Sequence, residues 1–257
     1  MNNKNLPILI IVLVLVAAVI GGVAYFRTQK GGTGGTPTPT PKNAAADFKA
    51  LLDKAPPGAQ PPWSKGDPAA KVAIEEFADF SCPTCGQFHQ TLKEIEKSYG
   101  ARVKITFRHF PLQIKGHENS YDAARAAEAA GQQGRFWEMQ NMLFTNQKTW
   151  TVLSEADARK TFADYAKSIG IDVERFKTDM IGQMASARVA DDVKRGQAIN
   201  LSSTPTVILN SSRPLTVNEL NLEVLRQAIE NEMLKSQAPT TNQPAANAPN
   251  SANQNTP

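Results

Sequence analysis

No charged residue occurs from Leu6 to Phe26, where Ile, Leu, Val and Ala dominate. That length matches the roughly 20 residues a helix needs to cross a bilayer core. The competing reading is a cleaved signal peptide, because Lys4 precedes the run and Gly22-Val23-Ala24 supplies small residues for a peptidase. An uncleaved anchor fits better, since a signal peptide's apolar region usually spans only about 7–15 residues. Gly31 to Pro41, GGTGGTPTPTP, pairs a flexible Gly-rich half with an extended Thr-Pro half and reads as a tether. Phe48, Leu51 and Leu52 then fall at helical spacing within Ala44 to Lys54, suggesting a short amphipathic helix able to dock on a following domain.

The apolar run Val72 to Phe80 predicts a strand, and Phe88, Leu92 and Ile95 predict a helix reaching Tyr99. Val103, Ile105 and Phe107 alternate with Lys104, Thr106 and Arg108, the pattern of a half-buried strand, until Pro111 stops it. Between about Asn119 and Asn200, Ala-rich amphipathic segments broken by Gly131, Gly134, Gly170 and Gly182 predict several consecutive helices. Thr206 to Leu209 is β-branched and apolar, so it reads as another strand. Arg213 to Thr216 is a candidate hairpin partner confined to an edge by Pro214, and Leu220 to Leu234 predicts a closing helix. The order is βαβ, a helical insertion, then ββα around one small sheet. From Ser236 to Pro257 there is almost no apolar bulk, too little to offset the entropy of ordering, so a disordered tail is expected.

Composition adds two limits. At 41% hydrophobic and 20% charged, the chain has enough apolar content for one main globular core. Its net charge of +4 is spread without a basic block, which argues against a nucleic-acid partner. The 2 cysteines sit close together as Cys82-Pro83-Thr84-Cys85, so they cannot be a general disulfide framework; their value is local chemistry.

Thiol–disulfide exchange needs an attacking thiolate and a second thiol near enough to resolve the mixed disulfide. At a helix start, unpaired N–H groups and the positive dipole end favour a Cys82 anion, making Cys82 the expected nucleophile and Cys85, one turn on, the resolving thiol. Pro83 suits the first turn because its missing N–H costs nothing there. Thr84 adds one hydroxyl and no charge, which leaves the direction of electron flow open. Each pKa unit taken from Cys82 is worth about 1.4 kcal/mol of preference for thiolate. The same energy corresponds to about 30 mV of potential in a two-electron couple, and stabilising the reduced form makes the disulfide the stronger oxidant. The bland alternative is a buried, inert thiol pair or a static short-loop disulfide. A metal site is the other, since Cys82, Cys85 and His89 form C-x2-C-x3-H. A structural zinc site usually needs four ligands and there is no second pair, so no metal is expected and His89 reads as a surface or helix-face residue.

With these motifs assembled, the chain resembles the DsbA-like branch of the thioredoxin superfamily over roughly Gly66 to Leu234. Glu76 to Cys85 (EFADFSCPTC) is similar to that family's strand and active-site signature, and Phe107 to Leu112 to its second strand. Ala123 to Ala130 and Gly134 to Met139 resemble its helical insertion, and Ser203 to Val207 its cis-proline loop. The resemblance implies a thioredoxin-like α/β fold with a helical insertion, here preceded by a transmembrane helix, and no cofactor. It implies a cis Pro205 beside the cysteines, with the Thr204 backbone offering an edge to substrate peptide. It also implies a buried acid at Glu76 that shuttles the Cys85 proton. From the residues alone, Glu75 could face inward instead, or Glu76 could pair with Lys104 or Arg108 for purely structural reasons. Asn210-Ser211 departs from the family, which often has glycine after this position, and leaves that turn open.

The expected organisation is an anchor over 1–27, a flexible linker with a possible short helix over 28–65, a domain over 66–235 with its insertion at about 115–200, and a disordered tail over 236–257. The expected function is an extracytoplasmic thiol–disulfide oxidoreductase held at the cell membrane. It would act as an oxidase on cysteine-containing secreted or envelope proteins, with a membrane redox partner resetting Cys82 and Cys85. The alternatives are a reductase or isomerase on the same fold, a non-catalytic binding module, or a metal carrier.

Overall fold

The strand before the cysteines forms at Val72–Ala78 (β2), where Val72, Ile74, Phe77 and Ala78 are all buried. The computed structural model describes residues 41–237. The helix after the cysteines is Pro83–Tyr99 (α2), and it returns the chain to Val103–His109 (β3), which runs parallel to β2 in the register Glu76↔Phe107. A parallel pair requires such a crossover. Thr206–Leu209 (β4) lies antiparallel on the other edge of β2, and the short Trp63–Lys65 (β1) lies antiparallel on the outer edge of β3. The sheet order is β1-β3-β2-β4. With Pro41–Lys54 (α1) before the sheet, the described residues from Ala45 onward make one compact unit.

The helical block follows β3 as Ser120–Gly131 (α3), Phe136–Thr145 (α4), Gln147–Trp150 (α5), Glu155–Ser168 (α6), Val173–Ile181 (α7) and Gln183–Ala198 (α8). Local chemistry sets several of these ends: the Ser154 hydroxyl accepts the Asp157 N–H at 3.2 Å, and Asp172 accepts the Arg175 N–H at 2.9 Å. Gly134 and Gly170 take φ of 76° and 77° at the breaks, a conformation glycine adopts without a Cβ penalty. The insertion buries Trp150, Phe136 and Phe162 among the small side chains of Ala123, Ala126, Ala127 and Ala130. The other core joins α2 and Leu222–Gln237 (α9) to the sheet through Phe88, Leu92 and Ile95 against Ile74, Ile105, Val207, Leu225 and Ile229.

Three expectations change. First, β3 is not half-buried: Thr106 and Arg108 are buried along with the apolar positions, because the stretch over 57–59 and α8 cover their face. Arg108 is satisfied there by Glu75 at 2.8 Å, Asp192 at 2.9 Å and the carbonyls of Pro57 and Ala59. Second, the stretch before 66 is not wholly a flexible linker. Phe48, Leu51 and Leu52 pack beside Phe77 and Phe110, and Arg188 donates to the Gln60 and Pro61 carbonyls. Trp63 stacks on Phe136 with ring centroids 4.6 Å apart. Third, Arg213 to Thr216 makes only one bridge, Ile208↔Pro214, plus a bond from the Leu215 N–H to the Val207 carbonyl. Pro214 has no N–H to extend the ladder, and the chain turns at Thr216 into a 3-10 helix, Val217–Leu220, capped by Glu219. The Asn210-Ser211 turn forms without glycine, both residues at positive φ.

The apolar run Leu6 to Phe26, the Gly-Thr-Pro tether and the tail from 238 lie outside the described residues. Among the described residues no helix is long and apolar enough to cross a membrane.

Candidate active site

Cys82 occupies the N-cap of α2 with φ −72° and ψ 119°, and Pro83 opens the helix. The loop leading into it is fastened by Asp79, which is buried and unites four donors. Its Oδ1 accepts the Ser81 N–H at 2.7 Å and the Ser120 hydroxyl at 2.5 Å; its Oδ2 accepts the Leu112 N–H at 2.8 Å and contacts His117 Nδ1 at 2.6 Å. On the other side Gln147 of α5 donates through Nε2 to the carbonyls of Phe80, at 2.6 Å, and Cys82, at 2.8 Å. Neither Asp79 nor Gln147 stood out in the sequence. Asp79 lies inside the motif and carried a readable signal, an acid closing an apolar strand; Gln147 carried none.

Both thiols are free. Cys82 keeps 7% of its surface exposed and Cys85 none. That small opening matters, because exchange requires an approach to one sulfur only. The Cys82 thiol donates to the Thr204 carbonyl at 3.4 Å, and the Thr204–Pro205 peptide is cis, so the β4 loop lies against the sulfur. Thr84 is exposed, with its backbone facing the sulfur.

The two sulfurs differ sharply in acidity. Hydrogen bonding from the Cys85 thiol lowers the Cys82 pKa most; burial opposes it, and the Thr204 hydroxyl and the Cys85 and Thr84 amides add to the lowering, bringing it to about 5. In the neutral thiol that hydroxyl has no partner, so it is free to turn to the anion. Burial pushes Cys85 the other way, well above the ordinary thiol value, helped by Cys82 and by the charge of Glu76. Glu76 faces the α2 side of the sheet, 1% exposed, with Oε1 lacking any hydrogen-bond partner. Burial raises its pKa to about 8. Its neighbour Glu75 takes the opposite face and the arginines, so neither Lys104 nor Arg108 pairs with Glu76.

His89 is not a surface residue. It is buried, stacked on Phe144 with centroids 5.0 Å apart, its Nε2 3.3 Å from the Asn141 amide oxygen. Among the described residues no group of three or more His, Cys, Asp or Glu side chains gathers as a metal site. The cysteines, Pro83, Thr84, Thr204, Pro205 and, beneath them, Glu76 thus come to one end of the sheet, at the tip of α2.

The family of proteins described as Thioredoxin matches residues 59–231. The chain belongs to the thioredoxin family. Solved structures that share its fold include DsbA proteins. Oxidised BdbD of Bacillus subtilis is 26% identical, aligned over 70% of this chain and 98% of that one with a TM-score of 0.58. The thiol-disulfide exchange protein α-DsbA2 of Wolbachia pipientis shares the fold at 18% identity, over 74% and 94% of the two chains, with a TM-score of 0.57. A curated relative, Na(+)/H(+) antiporter NhaA 1 of Mycolicibacterium gilvum, is 37% identical over 151 residues, 58% of this chain and 23% of that protein. The chain therefore spans under a quarter of that relative's length.

Proposed function

We propose that this DsbA-like protein is a protein-disulfide oxidoreductase acting as an oxidase outside the cytoplasm, with Cys82 and Cys85 as its catalytic pair. The observation that carries the reading is the split in acidity, Cys82 drawn down to about 5 and Cys85 pushed up. In the forward direction a substrate thiolate attacks Cys82 Sγ of the oxidised pair, a new S–S bond forms, and Cys85 leaves. Cys85 accepts a proton, which Glu76, protonated near neutrality, is placed to supply. A second substrate thiolate then attacks the substrate sulfur of the mixed disulfide and expels Cys82 as a thiolate. The substrate loses two electrons and the pair gains them. A low-pKa leaving group speeds that last step. Pro83 starts the helix, Thr84 contributes its amide, and Thr204 with cis Pro205 forms the edge against which the substrate strand pairs.

Placement outside the cytoplasm rests on chemistry and on the uncharged run Leu6 to Phe26. A durable oxidant is of no use where glutathione and thioredoxin keep thiols reduced. The proposed order is therefore an anchor over 1–27, a connecting stretch, the catalytic domain and a tail, with a membrane redox partner that reoxidises the pair. Its substrates are cysteine-containing secreted or envelope proteins.

Redox equilibration of the full chain against glutathione tests the direction. An oxidase requires a potential well above thioredoxin's roughly −270 mV; a value near that one assigns a reductase instead. Cys85→Ser should trap mixed disulfides and Cys82→Ser should not; activity surviving in Cys82→Ser would mark a binding module.

A further inference from the structure

Gln147 stands 65 residues from Cys82 in sequence, yet both hydrogens of its Nε2 go to the loop that carries that cysteine. A carboxamide has two such donors, so its donating capacity is spent entirely on Phe80 and Cys82. The two carbonyls bracket the loop before and at the sulfur-bearing residue. Gln147 is itself held firmly. Its α5 helix ends in Trp150, which is fully buried with its indole N–H on the Leu143 carbonyl at 2.8 Å, and the Trp150 carbonyl accepts from Asn119. Gly86, in the first turns of α2, leaves the space: a Cβ there would come within 2.9 Å of Gln147 Oε1.

Beyond the Asp79 cluster that fastens the preceding loop, the start of α2 has little to fix it. Cys82 receives no side-chain cap, and its carbonyl accepts the first helical N–H, from Gly86, at a long 3.2 Å. Gln147 holds that carbonyl at 2.8 Å. The orientation of this peptide decides whether the Thr84 and Cys85 amides point at the Cys82 sulfur.

We propose that Gln147 is a positioning residue for thiol–disulfide exchange, a clamp from the helical insertion that holds the Phe80 and Cys82 carbonyls so that the first turn of α2 faces the reactive sulfur. The proposal rests on Cys82 being the attacking thiol. Gln147 bonds to the loop carbonyls and to neither sulfur, so it acts on Cys82 through geometry.

The test uses the full-length chain and follows Cys82 ionisation by ultraviolet thiolate absorbance against pH, alongside the glutathione equilibrium and the melting temperature. Gln147→Met keeps the side chain's size and removes both donors. It should weaken Cys82 acidity roughly tenfold, one pKa unit upward. The disulfide becomes a weaker oxidant by a comparable factor, about 30 mV more negative. Gly86→Ala displaces the amide without touching Gln147's chemistry, in a residue better suited to a helix, and should move Cys82 in the same direction. The double variant should shift less than the sum, because both changes release one clamp. A Gln147 that only staples the insertion would lower the melting temperature and leave Cys82 acidity where it was; that result in both single variants, or strict additivity in the double, overturns the proposal. If Gln147→Met does not fold, Gly86→Ala alone decides. A wild-type Cys82 that titrates like an ordinary thiol defeats the functional reading itself, whereas an acidic wild type with unmoved variants defeats only the clamp.

Discussion

Glu75 and Glu76 are adjacent on β2, the first partly buried and the second wholly so, and opposite in fate. Glu75 accepts from Arg108 at 2.8 Å and from Arg195 at 2.9 Å, and Arg108 continues the cluster to Asp192. Burial pushes the Glu75 carboxyl up, but Arg195 and then Arg108 outweigh it and hold the pKa below the usual value. Glu76, one pleat away, has an oxygen with no partner and a pKa raised by burial alone. Buried polar groups in native proteins are almost always satisfied, so the unpartnered Glu76 oxygen is an exception, and on the proposed mechanism it keeps a proton available. That exception lies on the Cys85 side. The satisfied cluster ties the stretch around Pro57 and α8 to the sheet. On the proposed mechanism, one face of the strand serves cohesion and the other chemistry.

The largest expected effect breaks the cohesive face. Arg108→Met leaves Asp192 and Glu75 with fewer partners, orphans the Ala59 carbonyl and leaves the Pro57 carbonyl only the Gln60 amide. Removing one member of a buried ionic cluster costs about 3–5 kcal/mol. Urea unfolding of the reduced protein should show a loss of that size while Cys82 acidity stays in place. A loss under about 1 kcal/mol, the worth of an exposed pair, erases the contrast drawn here.

On the reactive face, Glu76→Gln keeps the shape and removes the exchangeable proton. On the proposed mechanism, the step that expels Cys85 should slow by roughly 10²-fold, the lower range for a positioned acid. Stopped-flow reaction of the oxidised protein with a dithiol peptide measures it. The Cys82 titration should hardly move, because its largest support is the Cys85 thiol rather than Glu76. An unchanged rate removes Glu76 from the mechanism.

How much of this was legible follows the range of the forces involved. The strand before Cys82, the helix carrying Phe88, Leu92 and Ile95, and the capped helices after Asn119 are written in local periodicity and end signals, and they appear within a few residues of the reading. The fate of Arg108 was not. Polar residues alternating along β3 normally mean an open face, and only the tertiary placement of the 57–59 stretch and α8 turned that face inward. The three-residue β1 is too short to leave a periodic trace and exists through pairing with β3. His89 read as a surface residue because its partners, Phe144 and Asn141, belong to the insertion more than fifty residues on. The side on which Glu76 lies was undecidable from alternation, since β2 is covered on both faces and a one-residue slip exchanges them.

The smallest expected effect is the sharpest form of the contrast, because it sets two identical substitutions side by side. Glu75→Gln should cost about 1–3 kcal/mol near neutrality, the penalty for leaving buried donors poorly matched. The folded Glu75 pKa is depressed, so its contribution is complete above the unfolded value and fades as pH falls through the lower folded one. The deficit of the variant should therefore shrink in acid. Glu76 has the reverse sign: its folded pKa is raised to about 8, so the stability it contributes is complete below the ordinary carboxylate value of 4.5 and is lost as pH climbs toward 8. Glu76→Gln should thus gain on the wild type across that interval and level off above it. Denaturant midpoints taken on oxidised protein, where the Cys82 thiolate does not contribute, separate the two curves. Parallel curves for the two variants would mean that the faces of β2 hold their carboxylates alike.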